Sequence, residues 1–161
     1  MKKGRSAKIV IAAVGKLRQR EWQSVQTDYL LRLKRYTDVQ LVEVKDSIGR
    51  GYPEAVAVRR EGELLIKATA TVQRRILLSA DGKEMSSERL AAFIQTLLET
   101  YDQTAFLIGG PVGFSDEVGK LADLRLSLSR LTFPHEMARI IFLEQLYRAF
   151  TILRGQKYHK A

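Results

Sequence analysis

Apolar positions along this chain switch repeatedly between two spacings. Residues 7–14 (Ala-Lys-Ile-Val-Ile-Ala-Ala-Val) form a β-branched run that stops at Gly15, the pattern of a buried strand feeding a loop. Trp22, Val25, Tyr29, Leu30 and Leu33 then recur at three and four residues. That spacing predicts an amphipathic helix, with Arg18, Arg20, Arg32, Lys34 and Arg35 on its other faces or at its ends. A strand over 39–44 and a helix over 53–71, opened by Pro53, repeat the pair. The apolar run 75–79 predicts the next strand, and Asp81-Gly82 reads as the turn that ends it. Ser86 or Ser87 caps a helix that buries Leu90, Phe93, Ile94, Leu97 and Leu98 and ends near Tyr101. A strand over 104–108, a short helix from Ser115, a strand over 124–128 and a long helix from Pro134 to about Leu153 complete the pattern. Strands alternating with helices predict one α/β domain over 1–161, with about five strands in a mostly parallel sheet and helices on both faces. Ligands of such sheets sit beyond the carboxyl ends of the strands.

Composition narrows the chemistry. The chain has 161 residues, 45% of them hydrophobic, and no cysteine, which excludes thiolate metal sites, cysteine nucleophiles and disulfides. The apolar run 9–14 is too short for a bilayer span or a secretory core, so a cytoplasmic location without membrane contact is expected. Net charge is +9, unevenly spread: residues 1–35 carry +8, residues 148–161 carry +4, and the middle sums to −3. Should the fold bring the two ends to one side, they make a single field for phosphates; a solvated surface is the plainer reading. The loop over 46–52, with Gly49, Arg50 and Gly51, is the one whose composition suggests mobility and substrate contact, or else a simple exposed connection.

Four later segments could carry chemistry. Residues 108–115 (Ile-Gly-Gly-Pro-Val-Gly-Phe-Ser) leave a buried strand and enter a helix, so the glycines permit close approach of backbone to a ligand, or equally make a simple tight turn. The segment lacks the lysine and hydroxyl of a phosphate-binding P-loop, and Gly15 stands alone after the first strand, without a dinucleotide fingerprint. Residues 126–135 interleave hydroxyls with apolar side chains, a wall that suits an adenosine and equally a helix-capping loop. In the terminal helix, apolar residues from Met137 to Leu153 cover more of the circumference than one stripe requires, which predicts two buried surfaces and hence a homodimer. Glu144 precedes Arg148 by four residues, the spacing of a helical ion pair or of a carboxylate that holds a substrate-facing arginine. Arg139 is open to the same two readings, and His135 beside Pro134 reads as a helix-start residue. The tail, Arg154 to Ala161, combines Tyr158, His159 and Lys160: a surface for nucleic acid, or a solvated end.

Residues 107–113, 127–135 and Glu144-Gln145-Leu146-Tyr147-Arg148-Ala149 running on to Tyr158-His159, in this order and spacing, closely resemble the ribosomal RNA large-subunit methyltransferase H family, small members of the SPOUT class. The resemblance covers nearly the whole length. It implies an S-adenosylmethionine-dependent enzyme that methylates N3 of a pseudouridine in 23S ribosomal RNA, acting on assembled ribosomes as a homodimer without a metal. It also implies a C-terminal trefoil knot, which no periodicity reveals. By the same route the cofactor contacts Leu78, Gly109, Leu128, Ser129, Arg130, Leu131, Thr132 and Phe133. Val112 stands where many relatives carry an acid, Lys160-Ala161 replaces a more usual Arg-Glu ending, and residues 1–5 look like an added basic arm. On this reading Tyr158, His159 and Lys160 position the base and bias its imide proton, and the tail completes the site of a second subunit. A ribosome-binding protein without catalysis and a knotted transfer-RNA methyltransferase are the rival readings.

Overall fold

The first strand, β1 (Lys8–Val14), sends successive side chains to opposite faces of a sheet, and both sets are buried. In the computed structural model, which describes residues 6–160, this strand lies inside a five-stranded sheet. The basic arm at 1–5 and Ala161 fall outside the described residues. The chain continues through α1 (Arg20–Leu33), β2 (Asp38–Val44), α2 (Glu54–Ala68), β3 (Arg74–Glu84) and α3 (Ser87–Thr100). It ends with β4 (Gln103–Ile108), α4 (Asp116–Leu121), β5 (Leu124–Ser127), α5 (His135–Leu153) and a 3-10 turn, Lys157–Lys160. The strand order is β2-β1-β4-β3-β5 and every pair is parallel. Ile9, Ile11 and Ala13 pack with α1, α3 and α5 on one face, while Val10, Ala12 and Val14 pack with α2 and α4 on the other. The layered α/β architecture read from the sequence is the one observed, because each helix must cover one side of strands that are apolar on both.

Local chemistry sets the helix starts. Ser86 and Ser115 each accept a backbone N–H three residues on, from Arg89 and Val118, at the N-termini of α3 and α4. The Asp81-Gly82 turn is corrected: β3 runs through it to Glu84, and its pairing with β5 jumps, so that Leu78 and Lys83 both lie opposite Leu126. The residues between form a bulge, braced by the Ser79 hydroxyl donating to the Asp81 carboxylate, a bond that holds this carboxyl below the ordinary range. A side chain at Gly82 would place its Cβ 2.6 Å from the Arg125 carbonyl carbon, so the crossing needs glycine. Asp-Gly here serves close approach between strands, not chain reversal.

Helix α5 lies on the sheet with α1 and α3 packed against it. Phe142, Leu143, Leu146 and Ala149 are fully buried there, so much of the wide apolar circumference is used inside the chain. The tail is not a solvated end: its 3-10 turn folds back against α5. The Tyr36 hydroxyl donates to Gln156 Oε1 at 2.6 Å, and Tyr36 stacks on Phe150, so the segment after α1 and the tail meet, placing Lys34 and Arg35 near the basic C-terminus.

Candidate active site

Strands β4, β3 and β5 are neighbours, so the loops at their carboxyl ends converge on one cavity of about 350 Å³. Leu78, Ser79 and Ala80 contribute one wall from the β3 bulge. The glycine turn after β4 contributes a second, and the 128–133 loop a third. His135 and Ala138 reach it from the start of α5. The glycine turn is tight: Gly113 has φ +84° and its N–H donates to the Gly110 carbonyl at 3.1 Å. A Cβ on Gly109 would lie 3.2 Å from the Gly113 backbone and 3.3 Å from the Phe114 ring, and one on Gly110 would lie 3.2 Å from Glu61 Oε2. Facing this turn, the Ser127 hydroxyl lies 2.9 Å from the Ser129 carbonyl and 3.2 Å from that of Ala80, and Ser129 Oγ accepts the Leu131 N–H at 3.0 Å. These bonds fix the loop, leaving Leu128, Leu131 and Phe133 as its apolar lining.

Seven of the eight residues expected around a cofactor line this cavity: Leu78, Gly109, Leu128, Ser129, Leu131, Thr132 and Phe133. Arg130 does not. Its side chain is exposed and its Nε lies 3.5 Å from Glu84, an outward contact on the β3 extension. Sequence reading passed over Ser79, Ala80 and Arg125, which also line the cavity, as does Phe114 from the glycine segment. Arg125 gave no signal because a lone arginine on an outer strand looks like a solvated residue. Among the described residues no group of side chains has the makings of a metal site.

Tyr158, His159 and Lys160 lie together in the 3-10 turn, and none of them lines the cavity. The Tyr158 hydroxyl donates to Glu144 Oε1 at 3.1 Å, and Arg148 donates to the same oxygen at 2.7 and 3.0 Å. Burial, followed by the Tyr29 hydrogen bond and the Glu144 charge, pushes the Tyr158 phenol far above its usual range, so it stays protonated. The bond to Glu144 raises Arg148, which also donates to the His159 carbonyl at 3.4 Å. His159 Nε2 lies 2.9 Å from Glu88 on α3, and its Nδ1 is buried without a partner. The Glu144–Arg148 spacing forms the helical ion pair, the plainer of the two readings, and the pair also holds Tyr158 and the His159 carbonyl of the tail.

Arg139, open to two readings in the sequence, is 1% exposed and clamps the end of β1. It donates to Glu43 at 2.6 Å, Gln26 at 3.3 Å, and the carbonyls of Val14 and Gly15 at 3.2 and 2.7 Å. Glu61, 2% exposed, accepts the N–H groups of Ser47 and Ile48 at 2.8 and 3.2 Å, so the loop suspected of mobility is pinned at its start. The other Glu61 oxygen is buried without a partner beside Gly110.

The family model described as "Predicted SPOUT methyltransferase" matches residues 7–159. Proteins named Ribosomal RNA large subunit methyltransferase H are 43% identical to the chain in Coprothermobacter proteolyticus, over 154 residues, and in Halothermothrix orenii, over 160 residues; each match covers 95% of this chain and 99% of the relative. Among solved structures, a probable methyltransferase from Bordetella pertussis aligns with TM-score 0.53 at 13% identity, covering 91% of this chain and 95% of that one. A probable methylase family protein from Haemophilus influenzae aligns with TM-score 0.52 at 13% identity, covering 96% and 70%; at such identity both similarities concern the fold. A sheet whose last three neighbouring strands open into one glycine-walled cavity, matched over nearly its whole length by these relatives, belongs to the ribosomal RNA large subunit methyltransferase H family of SPOUT methyltransferases.

Proposed function

We propose that this methyltransferase uses S-adenosylmethionine to methylate N3 of a pseudouridine in the 23S RNA of the large ribosomal subunit, acting on assembled ribosomes in the cytoplasm as a homodimer with a C-terminal trefoil knot. The observation that carries the reading is the cavity at the carboxyl ends of β3, β4 and β5. Its volume lies in the range of small-molecule sites, about 300–1,000 Å³. Its donor set fits a nucleoside: Leu78, Leu128 and Phe133 offer apolar faces, the tight turn at Gly109 and Gly113 admits an edge, and Arg125 supplies a cation for a carboxylate. When bound, the cofactor supplies an electrophilic methyl group on a sulfonium.

The chain's own residues then have to align the nucleophile, an advantage worth up to about 7–11 kcal/mol. The imide nitrogen must lose its proton, and a donor or cation near the base favours the anion. Tyr158, whose one O–H is held by Glu144, offers its ring to the base, His159 helps to position it, and Lys160 supplies positive charge that favours the imide anion. The tail does not line the cavity of its own chain, whereas Leu131, Val112 and Met137 stand 71, 42 and 37% exposed near the cavity and at the start of α5. An apolar rim of that kind calls for cover. A second copy seated on it closes the cavity and brings its own tail to the base, which accounts for both observations.

The test is incubation of labelled cofactor with ribosomes, free ribosomal RNA and transfer RNA. Label on large-subunit RNA of assembled ribosomes, mapped to N3 of a pseudouridine, is the expected result. Label on transfer RNA alone, or none on any RNA despite ribosome binding, would overturn the assignment.

A further inference from the structure

The cavity does not stand alone. A smaller hollow of about 150 Å³ shares Pro111 and His135 with it and continues over Gly15, Lys16 and Arg18. Those residues are shared in turn with a hollow of about 390 Å³ that extends over Lys45, Asp46 and Arg50, and the last three join a hollow of about 350 Å³ reaching Tyr52 and Arg60. The four form one groove across the carboxyl ends of the strands, from β3 and β5 over β4 and β1 to β2 and the start of α2.

Its charge is lopsided. Asp46 is paired with Arg50 at 2.9 Å, and Glu43 is taken by the buried Arg139, which leaves Glu63 as the remaining carboxylate of the hollows beyond the cavity. Lys16, Arg18 and Lys45 have no described carboxylate within ion-pair distance. At the far end the Arg60 guanidinium lies 4.4 Å over the exposed Tyr52 ring, a flat cationic and aromatic platform. The floor is rigid: Arg139 holds the Val14 and Gly15 carbonyls, and Glu61 holds the loop at Ser47 and Ile48.

We infer that this groove is the track for a single strand of RNA flanking the target base, with Lys16, Arg18 and Lys45 on its phosphates and Tyr52 with Arg60 under one of its bases. The inference rests on the function proposed above and names the path by which the substrate reaches the cavity. Spaced ammonium and guanidinium groups follow a phosphate backbone, and an exposed aromatic plane stacks on any base. A strand with its bases splayed out is the form in which a base can leave its stack and enter a closed site, whereas a duplex keeps its bases stacked. The groove draws on the middle of the chain as much as on its N-terminal region, so the docking surface is not the two basic ends alone.

The experiment measures binding to a single-stranded RNA oligonucleotide and to purified large subunits across a salt series, alongside methyl transfer to the subunits. For the oligonucleotide, the Lys16→Gln, Lys45→Gln double variant is expected to flatten the logarithmic salt slope by about 1.4, at about 0.7 per lost phosphate contact. A Lys67→Gln, Lys120→Gln control, altered at the opposite end of the sheet, should leave the slope unchanged. Tyr52→Ala should weaken binding about tenfold and Tyr52→Phe should restore it. Wild-type slope and affinity in all groove variants would overturn the track, as would losses confined to whole subunits, which would instead place a ribosomal protein there. Absence of methyl transfer by the wild-type chain would sink the functional reading separately, because the oligonucleotide data do not depend on turnover.

Discussion

The guanidinium of Arg139 joins α5 to the end of β1 through two side chains and two carbonyls. Replacing it by methionine keeps much of the apolar stem but leaves Glu43 and the carbonyls of Val14 and Gly15 without a donor. Removing one partner of a buried pair costs roughly 3–5 kcal/mol, and the partial exposure of Glu43 points to the lower end. Arg139→Met should therefore lose about 3 kcal/mol in chemical denaturation. Gly109→Val acts on the cavity instead: its branched side chain would enter a space where even a Cβ sits 3.2 Å from backbone. Overpacking of roughly 1–3 kcal/mol should weaken cofactor affinity by tenfold or more in calorimetry. The glycine turn stood out because it leaves a strand and enters a helix, and the family resemblance, not the turn alone, singled out Gly109. The sequence left Arg139 undecided because its partners lie 96 to 125 residues away.

At the scale of elements, the period of the apolar residues, with the helix-start residues Ser115 and Pro134, located the five strands and five α-helices, since burial on one or two faces dictates that period. The β3 extension escaped because Asp-Gly is the same local signal in a turn and in a bulge, and only the partner strand decides between them. The tail escaped for a similar reason: its order comes from Glu144, Arg148 and Glu88, none of which adjoins it in the chain. Its docking should respond to acid. The backbone N–H of Glu88, then His159, holds that carboxyl below its ordinary range. The folded value thus lies under the unfolded one, so the stabilisation is complete above the ordinary carboxylate range and is lost as pH falls through the lowered value. Hydrogen exchange at 157–160 should accelerate over that interval, and Glu88→Gln should show the faster exchange already at neutral pH. Deleting 157–160 should abolish methyl transfer while calorimetric cofactor affinity survives; unchanged turnover would remove the tail from the reaction.

For the whole molecule, the order β2-β1-β4-β3-β5 places the cavity on one side of the sheet end and the Asp46 loop on the other. Apolar Leu131 and Met137 remain uncovered beside the cavity and at the start of α5. If a second copy covers them, Met137→Asp, which lies outside the cavity lining, should convert a species of twice the chain mass into a single chain in sedimentation, with methyl transfer lost and cofactor binding kept. Such a surface was only half legible beforehand, because the apolar excess of α5 is shared between its own neighbours and the outside.

One carboxylate stands beneath both halves of this cleft: Glu61 grips Ser47 and Ile48 with one oxygen, and its other oxygen lies buried beside Gly110. A ligand that shifts the glycine wall should then be felt at the opposite lip, and by thermodynamic reciprocity each guest would alter the grip on the other by an equal factor. Titrating the nucleoside with and without an oligonucleotide should reveal at least about fivefold crosstalk, the lower end of typical linkage, and Glu61→Gln should silence most of it. Equal midpoints in wild type would mean the two guests ignore one another.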